Sequence, residues 1–457
     1  MDPNRNSNFP GNMLALCIFL SLCFNGIHGQ FPRTCTTRQA LDEKKCCPIW
    51  TDGSPCGEAS GRGKCRDWVV PVSIKRKHFM AAQENDERLN WPKFFYDNTC
   101  ECFGNYSGNN CGDCQYGHFG AKCERKSIVV RKEIHELSLA ERKKFFSYLN
   151  LAKNTKSKDF VIVSTGDRYH LNTYQFVDAS IYDVFAWIHY YSTKSLLING
   201  EFDSSRNYAH QGPAFPGWHR LGLAFLERQI QLLTSDENFA LPYYDWRGEK
   251  NCSICTNDLM GANNDQGALD SYSNFASWKI ICGGENDRED AYCLAATDVH
   301  QRELLQRKPG TTRSVTLPSF KDVEDTLQWK QFDTPPYDRT AQRSFRNVLE
   351  GFLRPSDGVT QGASMHNLAH VYFGGTMGRV PISANDPMFV LHHCFVDKIL
   401  EAWLEKYKAT PAVYSENTQR GQGAEECATP YFPCYRNKDL INRSDKFGYT
   451  YSVFQNL

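Results

Sequence analysis

Seven of the thirteen histidines in this 457-residue chain fall in two windows. The first window holds His189, His210 and His219. The second holds His366, His370, His392 and His393. A lone histidine on a helix is more often a packed or surface group than a ligand, and His78, His118, His135, His170 and His300 are read that way. The clustered seven suggest metal ligation. In MHNLAH, His366 and His370 stand four apart, which on a helix puts their Cβ atoms about 5–6 Å apart on one face. Past Asp386-Pro387, the residues Phe389, His393, Val396, Leu400 and Trp403 form one stripe at helical spacing. His393 lies on that stripe, and His392 points about 100° away around the helix. That reading makes His393 a third ligand and His392 a neighbour lining the pocket or supporting the ligands.

The first window repeats the pattern. His219, Leu223, Leu226 and Ile230 make a stripe, His189 sits in VFAWIHYY, and His210 lies in the loop RNYAHQGPAF. Three neutral imidazoles without thiolate suit copper, zinc or iron, and do not suit a blue-copper site. A three-histidine zinc hydrolase needs only one metal. Two such sets point to a binuclear centre between helix pairs. Buried imidazoles each need a polar partner, so packing alone is a poor reason for six of them.

The elements that must position these residues are mainly helical. Ser138 and Glu141 make a capping box before SLAERKKFFSYLNLAKN. Further helices are expected across IYDVFAWIHYYST, across GWHRLGLAFLERQIQLL, and after Asp386 (an acidic N-cap) with Pro387 at the first helical position. Strand signals are few and short. The expected fold is mainly α, a helix bundle with long connections.

Basic and acidic residues balance at 52 each, giving no net charge. With no basic stripe, nucleic acid is not an expected partner. MLALCIFLSLCF, residues 13–24, has the length of a signal-peptide core and is too short to span a bilayer, so residues 1–29 are read as a leader. No second long apolar stretch follows, and no membrane span is expected in this chain. Of nineteen cysteines, two fall in the leader and ten lie between Cys35 and Cys123. In an exported chain that density means disulfides. Residues 30–126 are therefore expected to form a small cross-linked unit of EGF type, a cap on a larger domain at 127–457. Asn105, Asn251 and Asn442 head N-glycosylation sequons.

The motifs FPRTC, GRGKC, IHYY, AHQGPAF, WHRLGL, LPYYDWR, FRNVLEGF, SMHNLAH and SANDPMFVLHH together resemble those of animal tyrosinases, which are type 3 copper proteins. The resemblance implies a four-helix bundle holding two copper ions. His189, His210 and His219 would bind one copper, and His366, His370 and His393 the other. It implies oxidation of monophenols such as tyrosine and of o-diphenols such as DOPA to o-quinones with O2, feeding melanin, in a secretory granule of melanosome type or outside the cell. Glu350 and Asn367 would hold the water that takes the phenol proton. Phe352, Val380 and Ser383 would line the pocket. Tyrosinase-related proteins with zinc-loaded, redox-silent sites carry an apolar residue in place of His392 and lack Met365, so these two residues favour the copper branch. The alternatives are a zinc-bound dopachrome isomerase and a non-enzymatic type 3 copper protein. The chain departs from the family pattern at Pro216-Gly217 and Gly222, where missing bulk is expected to loosen the first metal site, and at Tyr244, which replaces a tryptophan. Cys394 is set aside as a buried hydrophobe, and Tyr449 and Tyr451 resemble the close of the catalytic domain. Family members usually add a membrane helix after that point.

Overall fold

The computed structural model describes residues 31–70, 86–198, 200–283, 293, 302–310 and 315–452. The expected leader lies outside them. Eight α-helices occur among the described residues: α1 (Arg38–Asp42), α2 (Leu139–Asn154), α3 (Ile181–Thr193), α4 (Phe215–Thr234), α5 (Phe320–Thr326), α6 (Phe345–Glu350), α7 (Met365–Phe373) and α8 (Met388–Tyr407). None is long and apolar enough to cross a membrane.

Local chemistry explains where the helices begin. Ser138 and Glu141 form the capping box of α2, each side chain bonded to the other's backbone N–H. Ser180 caps α3 through the Asp183 N–H. Pro387 sits one residue earlier than expected, at the N-cap of α8, and the Asp386 carboxylate accepts from the Met388 N–H at 2.9 Å. Asp386 is itself clamped by the buried Arg307 guanidinium, with contacts of 2.6 and 2.7 Å.

One expectation needs correcting. Lys156–Asp167 and His170–Ser180 form a long antiparallel hairpin with bulged register, and Phe31–Pro32 adds a third strand to it through Val161 and Phe160. Only Phe160–Ser164 forms a continuous buried run. The return strand is polar and largely solvated, which hides the strand period.

The ten cysteines from Cys35 to Cys123 pair among themselves as 35–46, 47–65, 56–100, 102–111 and 114–123. Outside this region, Cys252–Cys255, Cys282–Cys293 and Cys427–Cys434 close short loops, and Cys394 is buried and free. The cross-linked region is not a bead on a string. Phe31, Trp91, Phe95, Tyr96 and Tyr116 join the same apolar core as α3, α4 and α8.

The central helices are buried on every side rather than along one stripe. All of α3 is buried, as are Phe215–Gln231 of α4 and Met388–Glu401 of α8. Their charges therefore need partners inside the protein. Arg220 of α4 reaches Asp397 of α8 at 2.6 Å and Glu401 at 3.1 Å. Arg131 pairs with Glu227 of α4 at 3.0 Å and lies 3.6 Å from Asp397. The hydroxyls of Tyr449 and Tyr451 donate to Asp397 at 2.6 and 2.5 Å. These tyrosines arrive on a strand that runs parallel to Val129–Arg131. Asp397 is thus the hub tying α4 to α8.

The glycines of α4 do not loosen it. A Cβ on Gly217 would meet Leu440 at 2.8 Å, and one on Gly222 would meet the Tyr431 hydroxyl at 2.8 Å. Each marks a close approach of the 427–441 segment, and the helix runs through both without a break.

Candidate metal centre

α3, α4, α7 and α8, with the loop of His210, bring the histidines to one place. His189, His210 and His219 each offer a ring nitrogen, and these atoms lie within 4.8 Å of one another. His366, His370, His392 and His393 form a second group under the same limit. The two groups touch: the rings of His219 and His393 stack with centroids 4.3 Å apart and planes 9° from parallel. Phe215 and Phe389, each one turn before a histidine on its helix, pack among the rings. Phe215 is 4.7 Å from His366, and Phe389 is 4.0 Å from His393 and 4.9 Å from His189.

Hydrogen bonding orients the rings. Nδ1 of His219 faces the Phe215 carbonyl at 2.8 Å, and Nδ1 of His370 faces that of Met377 at 2.8 Å. Nδ1 of His366 faces the Glu350 carbonyl at 3.2 Å and Asn367 Oδ1 at 3.0 Å. A carbonyl can only accept, so these Nδ1 atoms carry the protons and the Nε2 lone pairs face inward. Nε2 of His219 and His366 meets no partner among the described residues. Nε2 of His370 and His393 face each other at 3.3 Å. A buried acceptor left bare is costly, and a cation shared by such atoms removes that cost. The donor set fits a soft-to-borderline transition metal in each group. Burial holds the imidazoles uncharged, pushing His219 down to about 3 and His370 to about 4. Neutral rings are what ligation requires.

Burial does not separate His392 from His393, since both are almost fully enclosed. α8 has no exposed face there, so a place on an apolar stripe does not tell the two rings apart. The difference lies in polarity. The Trp246 indole N–H donates to Nδ1 of His392 at 3.1 Å, so that ring is turned the opposite way from His219, His366 and His370.

The loop of His210 is fixed from outside. The Gln422 amide donates to the Asn207 and His210 carbonyls at 2.7 Å each, and its oxygen accepts from the Ala214 N–H at 2.9 Å. Asn207 Oδ1 in turn accepts from the His210 N–H at 2.7 Å. Glu350 contributes as well. One carboxylate oxygen accepts from the Gln211 N–H at 2.5 Å and the other from Arg346 at 3.0 Å. Burial pushes this carboxyl up to about 7, with Arg346 pulling the other way. Glu350 and Asn367 therefore flank His366, one through its backbone carbonyl and one through its side chain. Ser383 is buried and donates to the Val380 carbonyl at 3.0 Å; Val380 is half exposed, and Phe352 is partly buried. Met365 is buried at the start of α7. Asn105 and Asn251 are exposed. Asn442 is partly buried, and its side-chain oxygen accepts from the Arg443 N–H at 2.9 Å.

The common central domain of tyrosinase matches residues 179–406. Over 456 residues the chain is 44% identical to a tyrosinase of Canis lupus familiaris, covering 97% of this chain and 85% of that one. The chain belongs to the tyrosinase family. A tyrosinase of the frog Pelophylax lessonae is 40% identical over 445 residues, covering 94% of this chain and 83% of the relative. A 5,6-dihydroxyindole-2-carboxylic acid oxidase of Homo sapiens is 36% identical over 460 residues, covering 96% and 85%. The domain match spans α3, α4, α7 and α8 and all seven histidines.

Sequence reasoning passed over Trp246 and Gln422. Trp246 lies within LPYYDWR, and an indole N–H, once buried, needs an acceptor. Gln422 lies far from any motif and carried no such signal.

Proposed function

We propose that this tyrosinase-family chain is a copper-dependent monooxygenase and oxidase that converts monophenols and o-diphenols to o-quinones with O2. His189, His210 and His219 would hold one copper ion, and His366, His370 and His393 the other, within a four-helix arrangement of α3, α4, α7 and α8. Bound copper would supply the activation of O2 needed to convert a phenol to a catechol and a catechol to an o-quinone.

The protein's own residues do the rest. Backbone carbonyls of Phe215, Glu350 and Met377 hold the imidazole protons outward. Phe215 and Phe389 keep the space between the rings apolar and suited to an aromatic substrate. Glu350 and Asn367, on either side of His366, are assigned the water that accepts the phenol proton. Phe352, Val380 and Ser383 are assigned the pocket wall. Residues 30–126 are assigned to an EGF-like domain packed on a catalytic domain at 127–457. The secretory route, with glycans at Asn105, Asn251 and Asn442, accounts for the eight disulfides.

The observation that carries this reading is the convergence of two three-imidazole sets, enclosed but for the partly buried His370, with the ring nitrogens of each set within 4.8 Å of one another, in a chain 44% identical to a tyrosinase. The test is oxygen uptake by the copper-loaded protein with L-tyrosine and then L-DOPA. Uptake with both is expected. Uptake with DOPA alone would remove the assignment of Glu350 and Asn367. No uptake with two coppers bound would replace the enzyme reading by an oxygen-carrying or structural one. Zinc in natively purified protein, with dopachrome isomerised, would replace it by a redox-silent one.

A further inference from the structure

We propose that Trp246 is a positioning residue that fixes the proton of His392 on Nε2 and thereby keeps His392 out of the second metal's ligand set. The inference rests on the assignment of that set to His366, His370 and His393.

Distance alone does not exclude His392. Its ring centroid lies 5.2 Å from His366 and 4.9 Å from His370, and the corresponding values for His393 are 4.8 and 5.5 Å. All four rings belong to one group of converging nitrogens. What separates His392 is the location of its lone pair. A neutral imidazole has one donor and one acceptor nitrogen. An indole N–H only donates, so the contact from Trp246 makes Nδ1 of His392 the acceptor and leaves the proton on Nε2. A nitrogen bearing a proton has no lone pair for a metal. His219, His366 and His370 show the reverse arrangement, with Nδ1 against carbonyls.

The indole is held for this task. Trp246 is fully buried and meets Phe395 edge-on at 4.7 Å. The Tyr244 N–H donates to the Leu391 carbonyl at 3.1 Å, which pins the 244–246 segment beside the turn of α8 that carries His392. The two consequences are linked. His366, His370 and His393 alone would hold the metal, which would leave it free to take up a further ligand, as catalytic sites require. Nε2–H of His392 is buried within the group of converging rings and stays a donor there. Without the indole, Nδ1 of His392 becomes a buried unsatisfied acceptor. The proton then moves to Nδ1, the lone pair to Nε2, and a fourth imidazole becomes available to the metal.

The experiment uses protein labelled with nitrogen-15 in histidine, metal-free and then loaded with zinc(II), a diamagnetic probe. Two-bond proton–nitrogen spectra report which nitrogen of each ring is protonated, and the His392 signals are assigned by their loss in His392→Leu. In the wild type, His392 should show protonated Nε2 both before and after zinc, while His366 and His370 show protonated Nδ1 and zinc-shifted Nε2. In Trp246→Phe the Nε2–H signal of His392 should disappear, and zinc should shift its Nε2. If Trp246→Phe leaves the His392 proton on Nε2 after zinc loading, the role of Trp246 is overturned while the ligand set stands. If zinc shifts His392 and leaves His393 unshifted in the wild type, the ligand set itself is overturned. Should Trp246→Phe fail to fold, the wild-type spectra still decide, because a His392 protonated on Nδ1 refutes the proposal.

Discussion

Replacing Asp397 with asparagine keeps the side chain's shape and removes its charge. Arg220 and the hydroxyls of Tyr449 and Tyr451 reach its carboxylate at 2.5–2.6 Å, and Arg131 lies 3.6 Å away. Both arginines are fully enclosed, so water cannot replace the lost partner. In the wild type, Glu227, Asp397 and Glu401 face Arg131, Arg220 and the partly exposed Arg443. After the change, two carboxylates face three guanidiniums. Removing one member of a buried pair costs about 3–5 kcal/mol. In a domain of this size each kcal/mol moves the melting temperature by roughly 2 °C, so a fall of roughly 6–10 °C is expected for D397N. The assay is thermal melting of the metal-free protein followed by circular dichroism at a fixed scan rate. Glu405→Gln is the control. Its contact to Arg443 is 3.5 Å long and solvent-exposed, so a shift of about 1 °C or less is expected. Copper retention should fall together with the melt, because Arg220 follows His219 and Asp397 lies one turn after His393. A D397N melt that overlays the wild type would refute the claim that this cluster holds α4 against α8.

Four further outcomes are expected. Metal analysis after copper reconstitution should find one ion per chain in His393→Ala and two in His392→Ala; the reverse result would exchange their roles. Gly222→Ala should lower stability by up to about 2 kcal/mol, because the clash with Tyr431 outweighs the gain in helix propensity; a higher melting temperature would show that the segment yields freely. Burial pushes the Cys394 thiol up, so in a chain starting at Phe31 thiol titration should count none in the native state and one after denaturation; a reactive native thiol would contradict the packing. His219 and His370 are depressed to about 3 and 4 in the folded state, whereas the unfolded chain takes up protons below about 6.5. The metal-free protein should therefore lose stability as pH falls from about 6.5 toward 4, with a shallower slope in the His219→Gln, His370→Gln double variant; parallel melting-versus-pH curves would sink this account.

Much of the site was legible in the sequence because helical spacing and residue type carry it. The His366–His370 pair, the capping box at Ser138 and Glu141, and the boundaries of α3 are all local features, and the structure has them where the sequence suggested. Helical spacing does not separate His392 from His393. An amphipathic stripe needs a wet face, and α8 is enclosed from Met388 to Glu401. What distinguishes the two rings is a hydrogen bond from a residue 146 positions away, and no periodicity encodes that. The hairpin was missed for a related reason, since its solvated return strand lacks apolar alternation. The glycines of α4 read as weaknesses in one dimension and proved to be points of close approach in three.

The Asp397 hub also sets an order of assembly. Arg131 bonds to Tyr451 across 320 residues, and Arg220 to Asp397 across 177. At a synthesis rate of about 5–20 residues per second, Arg131 waits roughly 16–64 s for its last partner to emerge. Every described disulfide lies before Tyr449, the last being Cys427–Cys434. A nascent chain halted short of that strand could therefore complete its oxidative cross-linking while α4 and α8 still lack the tyrosines that close their shared charge cluster. For such a chain the mark of immaturity is a buried aspartate still short of two hydroxyl donors, rather than an exposed thiol.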